Sequence, residues 1–133
     1  MRHHVISQSL SFEASDGALL PAYFSRPASY DPVPAILFIY EALGMNDEMR
    51  RLADSFAAQG FAVMIPDLFA RGPWALCITR LMNDLKRESG QGVDDLLAAR
   101  AWLTRQSPVD ASRMAVLGLC MGGGFALLLA KTG

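Results

Sequence analysis

Cys120 stands in the stretch Gly118-Leu119-Cys120-Met121-Gly122-Gly123. Before it lies the apolar, β-forming run Met114 to Leu119, and after it a helix-compatible segment from Gly122 to Lys131. Gly-x-Cys-x-Gly between a strand and a helix is the thiol form of the nucleophile elbow. The chemistry needs these residue types. The reacting side chain sits on a sharp turn, so glycines two positions away on either side let the backbone pass closely. The helix that follows points its N-terminus at the reacting centre, and its dipole favours both a thiolate and a developing oxyanion. The backbone N–H of Met121 is the natural first oxyanion donor. The plainer alternative is a buried thiol among glycines that serve close packing. A dinucleotide fingerprint would need a glycine where Cys120 stands, and a P-loop would need a Gly-Lys-Ser/Thr ending that is missing.

A second candidate is Glu41, directly after the apolar run Ala35 to Tyr40. Active sites of open α/β sheets lie at the carboxyl ends of strands. Glu41 and Cys120 both stand at such ends and could face one another. The loop after an early strand also supplies the second oxyanion N–H in α/β-hydrolases, which here would be that of Ala42. A solvated strand-end carboxylate is the competing reading of Glu41.

The elements that must position these residues alternate in type. Val5 to Phe12 and Ala18 to Phe24 read as a hairpin about Ser15-Asp16-Gly17, and the prolines between Pro27 and Pro34 as a loop. Ala35 to Tyr40, Phe61 to Ile65 and Met114 to Leu119 are continuous apolar runs, as expected of parallel strands covered on both faces. A helix capped by Asn46 or Asp47 has Met49, Leu52, Ala53 and Phe56 on one face and Gly60 at its C′ position. Trp74, Ile78, Leu81, Met82 and Leu85 have helical spacing within 72–92, which reads as a helix or a connection. Val93 to Arg105 reads as a helix with Val93, Leu96, Leu97 and Ala101 on one face, followed by a turn at Asp110-Ala111-Ser112. The order, a hairpin and then β-α-β-(α)-α-β-α, predicts an α/β domain with a mostly parallel sheet.

Composition narrows the partners. Of 133 residues, 52% are hydrophobic and the net charge is −1, which excludes intrinsic disorder and gives no basic face for nucleic acid. The longest uncharged run, Met114 to Ala130, is broken by glycines and falls short of the ~20 residues of a membrane span. The N-terminus lacks the apolar core of a secretory signal, so a cytoplasmic location is expected. No metal-ligand spacing occurs, and no cofactor is implied.

Three stretches together resemble the dienelactone hydrolase (carboxymethylenebutenolidase) family: Tyr40-Glu41-Ala42-Leu43-Gly44-Met45-Asn46, Pro66-Asp67-Leu68-Phe69-Ala70-Arg71 and Gly118-Leu119-Cys120-Met121-Gly122-Gly123. Their order matches that family's N-terminal half. The resemblance implies an α/β-hydrolase fold and hydrolysis of small lactones or esters. It makes Cys120 the nucleophile and Glu41 the carboxylate that contacts the resting thiol. Asp67 and Arg71 match a structural strand-end motif. The family's substrate-binding arginines cannot be placed, although Arg80 is near the right region.

The departure is on the far side of Cys120. α/β-Hydrolases follow the nucleophile with an acid and then a histidine, but no Asp, Glu or His follows Cys120, and the only histidines are His3 and His4. The expectation is one α/β-hydrolase domain over 1–133, truncated after the elbow helix, with little activity of its own and an apolar sheet edge prone to self-association. The alternatives are a degenerate member used for binding or assembly, and an unrelated nucleotide-binding module.

Overall fold

The computed structural model describes residues 3–29, 31–39, 45–107, 109–118 and 121–131, residues 121 and 122 by their backbone. Strands β1 (Val5–Glu13) and β2 (Leu19–Pro27) form the hairpin. Its turn is closed by the Ala14 N–H to the Ala18 carbonyl at 2.8 Å, and Asp16 Oδ1 accepts from the Ala18 N–H at 3.2 Å. Then follow β3 (Val33–Ile39), α1 (Asp47–Ala58), β4 (Ala62–Pro66), α2 (Trp74–Arg87), α3 (Gln91–Thr104), β5 (Val109–Gly118) and α4 (Met121–Lys131).

The sheet order is β1-β2-β4-β3-β5. β1 and β2 are antiparallel, as are β2 and β4, while β4, β3 and β5 run parallel. The apolar runs at β3 and β4 occupy the centre, where Leu37 to Ile39 and Ala62 to Ile65 are fully buried. Side chains alternate across the strands and so meet different helices. Tyr23 and Ser25 of β2 donate to Asp54 of α1. Phe24, between them, packs edge-on against Trp102 of α3, with centroids 5.2 Å apart. Helices α1 and α3 therefore cover opposite faces, giving three layers.

The helix ends follow local chemistry. Asn46 caps α1 by accepting the Met49 N–H at 3.0 Å. Gly60, at C′, has φ +104, a conformation that side chains resist. The segment 72–92 resolves into α2 and a tight junction. Asp84, buried on α2, accepts the Gly92 N–H at 2.9 Å and Arg87 Nη2 at 2.9 Å. It thereby satisfies the first turn of α3 from outside the helix. Gly90 has φ +123, and a Cβ there would lie 2.3 Å from Asp84 Oδ1.

Three expectations need correction. Met114 to Leu119 is not covered on both faces: β5 is half-buried, although it lies at the end of the sheet as expected and pairs with β3 alone among the described residues. Asp110-Ala111-Ser112 turns within β5, not before it. From Val33/Val109 to Ala35/Met114 the register gains extra residues on β5, a bulge. On α3 the buried face is Val93, Leu96, Ala99 and Leu103, while Leu97 is half-buried and Ala101 exposed. The helix read from the spacing of Trp74 to Leu85 is α2, whose apolar stripe is buried at Leu81, half-buried at Ile78 and Leu85, and exposed at Trp74 and Met82.

Candidate active site

β3 and β5 are adjacent and parallel, and their last paired residues are Ile39 and Gly118. Glu41 lies two positions beyond the first and Cys120 two beyond the second. The sheet thus delivers the two chain segments to one edge at the same level. Only residues 119 and 120 separate the end of β5 from the start of α4. Glu41, Ala42 and Cys120 themselves lie outside the described residues. Met121 opens α4, so its N–H belongs to the first turn of that helix, where N–H groups have no partner within the helix.

The loop after β4 reaches the same edge. Asp67 continues the β4–β2 pairing, its N–H donating to the Pro21 carbonyl at 2.9 Å, and its Oδ1 accepts from the Phe69 N–H at 2.9 Å. Arg71 folds inward and is only 14% exposed. Its Nε and Nη2 donate to Asp95 of α3, both at 2.8 Å. Nη1 and Nη2 also donate to Asp16 in the hairpin turn at 3.0 and 3.1 Å. Hydrogen bonding to Asp95, and then to Asp16, raises the guanidinium pKa further above its usual value. The same bond from Arg71 lowers the carboxyl of Asp16. Gln91 adds a bond from Nε2 to Asp16 at 3.1 Å. The structural role expected of Arg71 is thus visible in its partners. Asp16 reads from sequence only as a turn residue, and Asp84, Gln91 and Asp95 carry no signal there, because polar side chains on helices and turns usually face water.

Several candidates lie elsewhere. The backbone N–H of His3 donates to the Ala58 carbonyl at 2.8 Å, beside Gly60. This is the amino end of β4, the opposite edge from Cys120. Arg80 donates to Gln91 Oε1 at 3.3 Å and approaches Cys77 Sγ at 3.8 Å. Cys77 is buried, as expected, with Sγ near the carbonyls of Gly72 at 3.5 Å and Phe69 at 3.7 Å. Beside β5, an open cleft of about 480 Å³ is lined by Met114, Val116, Leu117, Ala126 and Leu127. Among the described residues no His/Cys/Asp/Glu cluster could hold a metal ion, and no helix is long and apolar enough to cross a membrane.

Several known proteins are similar to this chain. The carboxymethylenebutenolidase of Pseudomonas putida is 29% identical over 139 aligned residues, covering 97% of this chain and 58% of its own length. The crystal structure of a dienelactone hydrolase-like promiscuous phosphotriesterase from metagenomic libraries superposes with a TM-score of 0.81 at 26% identity, covering 96% of this chain and 54% of that one. Brefeldin A esterase, described as a bacterial homologue of human hormone-sensitive lipase, gives 0.69 at 26% identity, covering 98% of this chain and 37% of that one. The fold is that of the α/β-hydrolases. The chain spans about half the length of the curated relatives it matches. The family model for dienelactone hydrolases matches residues 20–133, which places the chain in the dienelactone hydrolase family.

Proposed function

We propose that this chain carries the nucleophile half of a hydrolase that cleaves small esters or lactones through Cys120. The observation that carries the reading is the junction of β5 and α4. A strand gives way to a helix across residues 119 and 120 alone, the strand–turn–helix context that a nucleophile elbow requires. The Cys120 thiolate attacks the carbonyl carbon, the N–H groups of Met121 and Ala42 receive the developing oxyanion, and the alcohol leaves to give a thioester. Glu41, reached from the strand paired with β5, assists thiol deprotonation. Water then cleaves the thioester and regenerates the thiol.

That second step needs a base. Residues 121–133 contain no Asp, Glu or His, and His3 lies at the other edge. One domain over 1–133, incomplete as a catalytic unit, follows from this reading. The chain by itself should therefore acylate once and turn over slowly. The test is intact-mass spectrometry after exposure to p-nitrophenyl acetate. One acetyl group on Cys120, absent in Cys120→Ala, is the expected result. Acetylation that persists in Cys120→Ala, or that never occurs on the folded chain, overturns the assignment.

A further inference from the structure

Helix α2 packs inward against α3 and α4 and turns its other side to solvent. Its inward side carries Cys77, Leu81 and Asp84, all buried. On the opposite side Leu76, Thr79, Met82, Asn83, Lys86 and Arg87 recur at spacings of three and four, which aligns them along one face, and all are exposed. Leu76 is 64% exposed and Met82 41%. The charge on this face has one sign. Lys86 and Arg87 stand on it and Arg80 flanks it, whereas the one acid of α2, Asp84, turns inward to the Gly92 N–H and to Arg87. Glu88, just past the helix, is paired with Lys131. With Asp84 set against Arg87, Arg80 and Lys86 remain as excess positive charge, on a chain whose net charge is −1. The complement of such a face is an anionic one. A small soluble anion would use the cations alone and leave Leu76 and Met82 in water. The depression among these side chains is lined by α2 alone, so no second element makes the groove that an acidic peptide would need. A planar surface with phosphates outside and acyl chains beneath meets both the cations and the apolar side chains.

We propose that the outer face of α2 is a peripheral docking surface for an anionic lipid bilayer. Lys86, Arg87 and Arg80 meet the headgroup phosphates, and Leu76 and Met82 enter the boundary between headgroups and acyl chains. The helix, 14 residues long, lies along the bilayer and does not span it.

The test is cosedimentation of the full chain with vesicles of phosphatidylcholine alone and with vesicles of phosphatidylcholine and phosphatidylglycerol in equal parts. The chain should partition onto the anionic vesicles only, and high salt should release it. Lys86→Gln should weaken the partitioning about fivefold, the share of one cation near an anionic surface, and Lys86→Glu should weaken it further. Leu76→Ser should weaken it about tenfold. These side chains are exposed, and circular dichroism on each variant confirms that the fold is kept. Leu127→Ser, on the exposed apolar side of α4, should leave the partitioning unchanged. No partitioning onto the anionic vesicles, or equal partitioning onto both kinds, overturns the proposal. Loss of binding in Leu127→Ser but not in the α2 variants overturns it in favour of α4. Binding of soluble polyglutamate through Lys86 and Leu76, without binding to vesicles, overturns it in favour of an acidic protein partner.

Discussion

Two buried carboxylates and one arginine set the local geometry of the carboxyl edge. Arg71 and Asp95 are both nearly enclosed, so removing the cation leaves a buried carboxylate without its countercharge. Arg71→Met should cost about 3 kcal/mol of stability in urea unfolding, the scale expected when one partner of a buried pair is lost. Asp84 is equally enclosed and serves the first turn of α3. Asp84→Ala should cost about 2–3 kcal/mol, because it strands the Gly92 N–H and opens a void. Asp110 shows the opposite regime at an exposed site. Bonds from Ser112, then Arg113, lower its carboxyl from 3.8 to about 2. Because the folded-state pKa is depressed, its contribution is fully present above 3.8 and is lost as the pH falls through about 2. A carboxyl titration followed by NMR should show its midpoint near 2, and a midpoint near 3.8 would contradict this hydrogen-bonded turn.

At the scale of elements, hydrophobic pattern located the strands well. The runs at β3 and β4 are apolar at every position because both faces are covered, which tells a reader of the sequence that they are central. At β5 the run Met114 to Leu119 is just as apolar but half-buried, and its place at the sheet end follows from the order of the family motifs and not from the run. A run records the burial that a strand is suited to, and the number of neighbours it has is set by topology. The cap at Asn46 was legible because Ser, Thr, Asp and Asn in that position have a specific N–H to satisfy. Asn46→Ala should cost about 1 kcal/mol, read as a shift in the thermal midpoint. The Arg71 network was illegible for a different reason. It joins residues from the hairpin turn, the strand-end loop and α3, and nothing local in their sequences couples them. Of the candidate site, the supporting junctions could be anticipated from Cys120, Glu41 and their flanking runs, whereas the ion pairs that tie the loop after β4 could not.

For the whole molecule, the high apolar fraction finds its outlet at one side. α4 is apolar on most of its faces, and Leu127 on it is 72% exposed beside half-buried Met114, Val116 and Leu117 of β5. Among the described residues β5 pairs on one side only, and such a strand with an apolar flank favours association with another strand. The chain should therefore sediment as a concentration-dependent mixture of monomer and larger species. Met114→Lys and Val116→Lys together should shift it toward monomer. A monodisperse monomer at tens of micromolar would contradict this account of the edge.

With Cys120 at the β5–α4 junction as the nucleophile we propose, Cys77 is an inert core thiol. Alkylation by iodoacetamide at neutral pH, followed by peptide mass spectrometry over time, distinguishes the two. Cys120 should be carbamidomethylated first and at a rate well above that of Cys77, which is enclosed beneath the Phe69 and Gly72 carbonyls. Equal labelling of the two cysteines, or faster labelling of Cys77 on the folded chain, would contradict the Cys120 assignment.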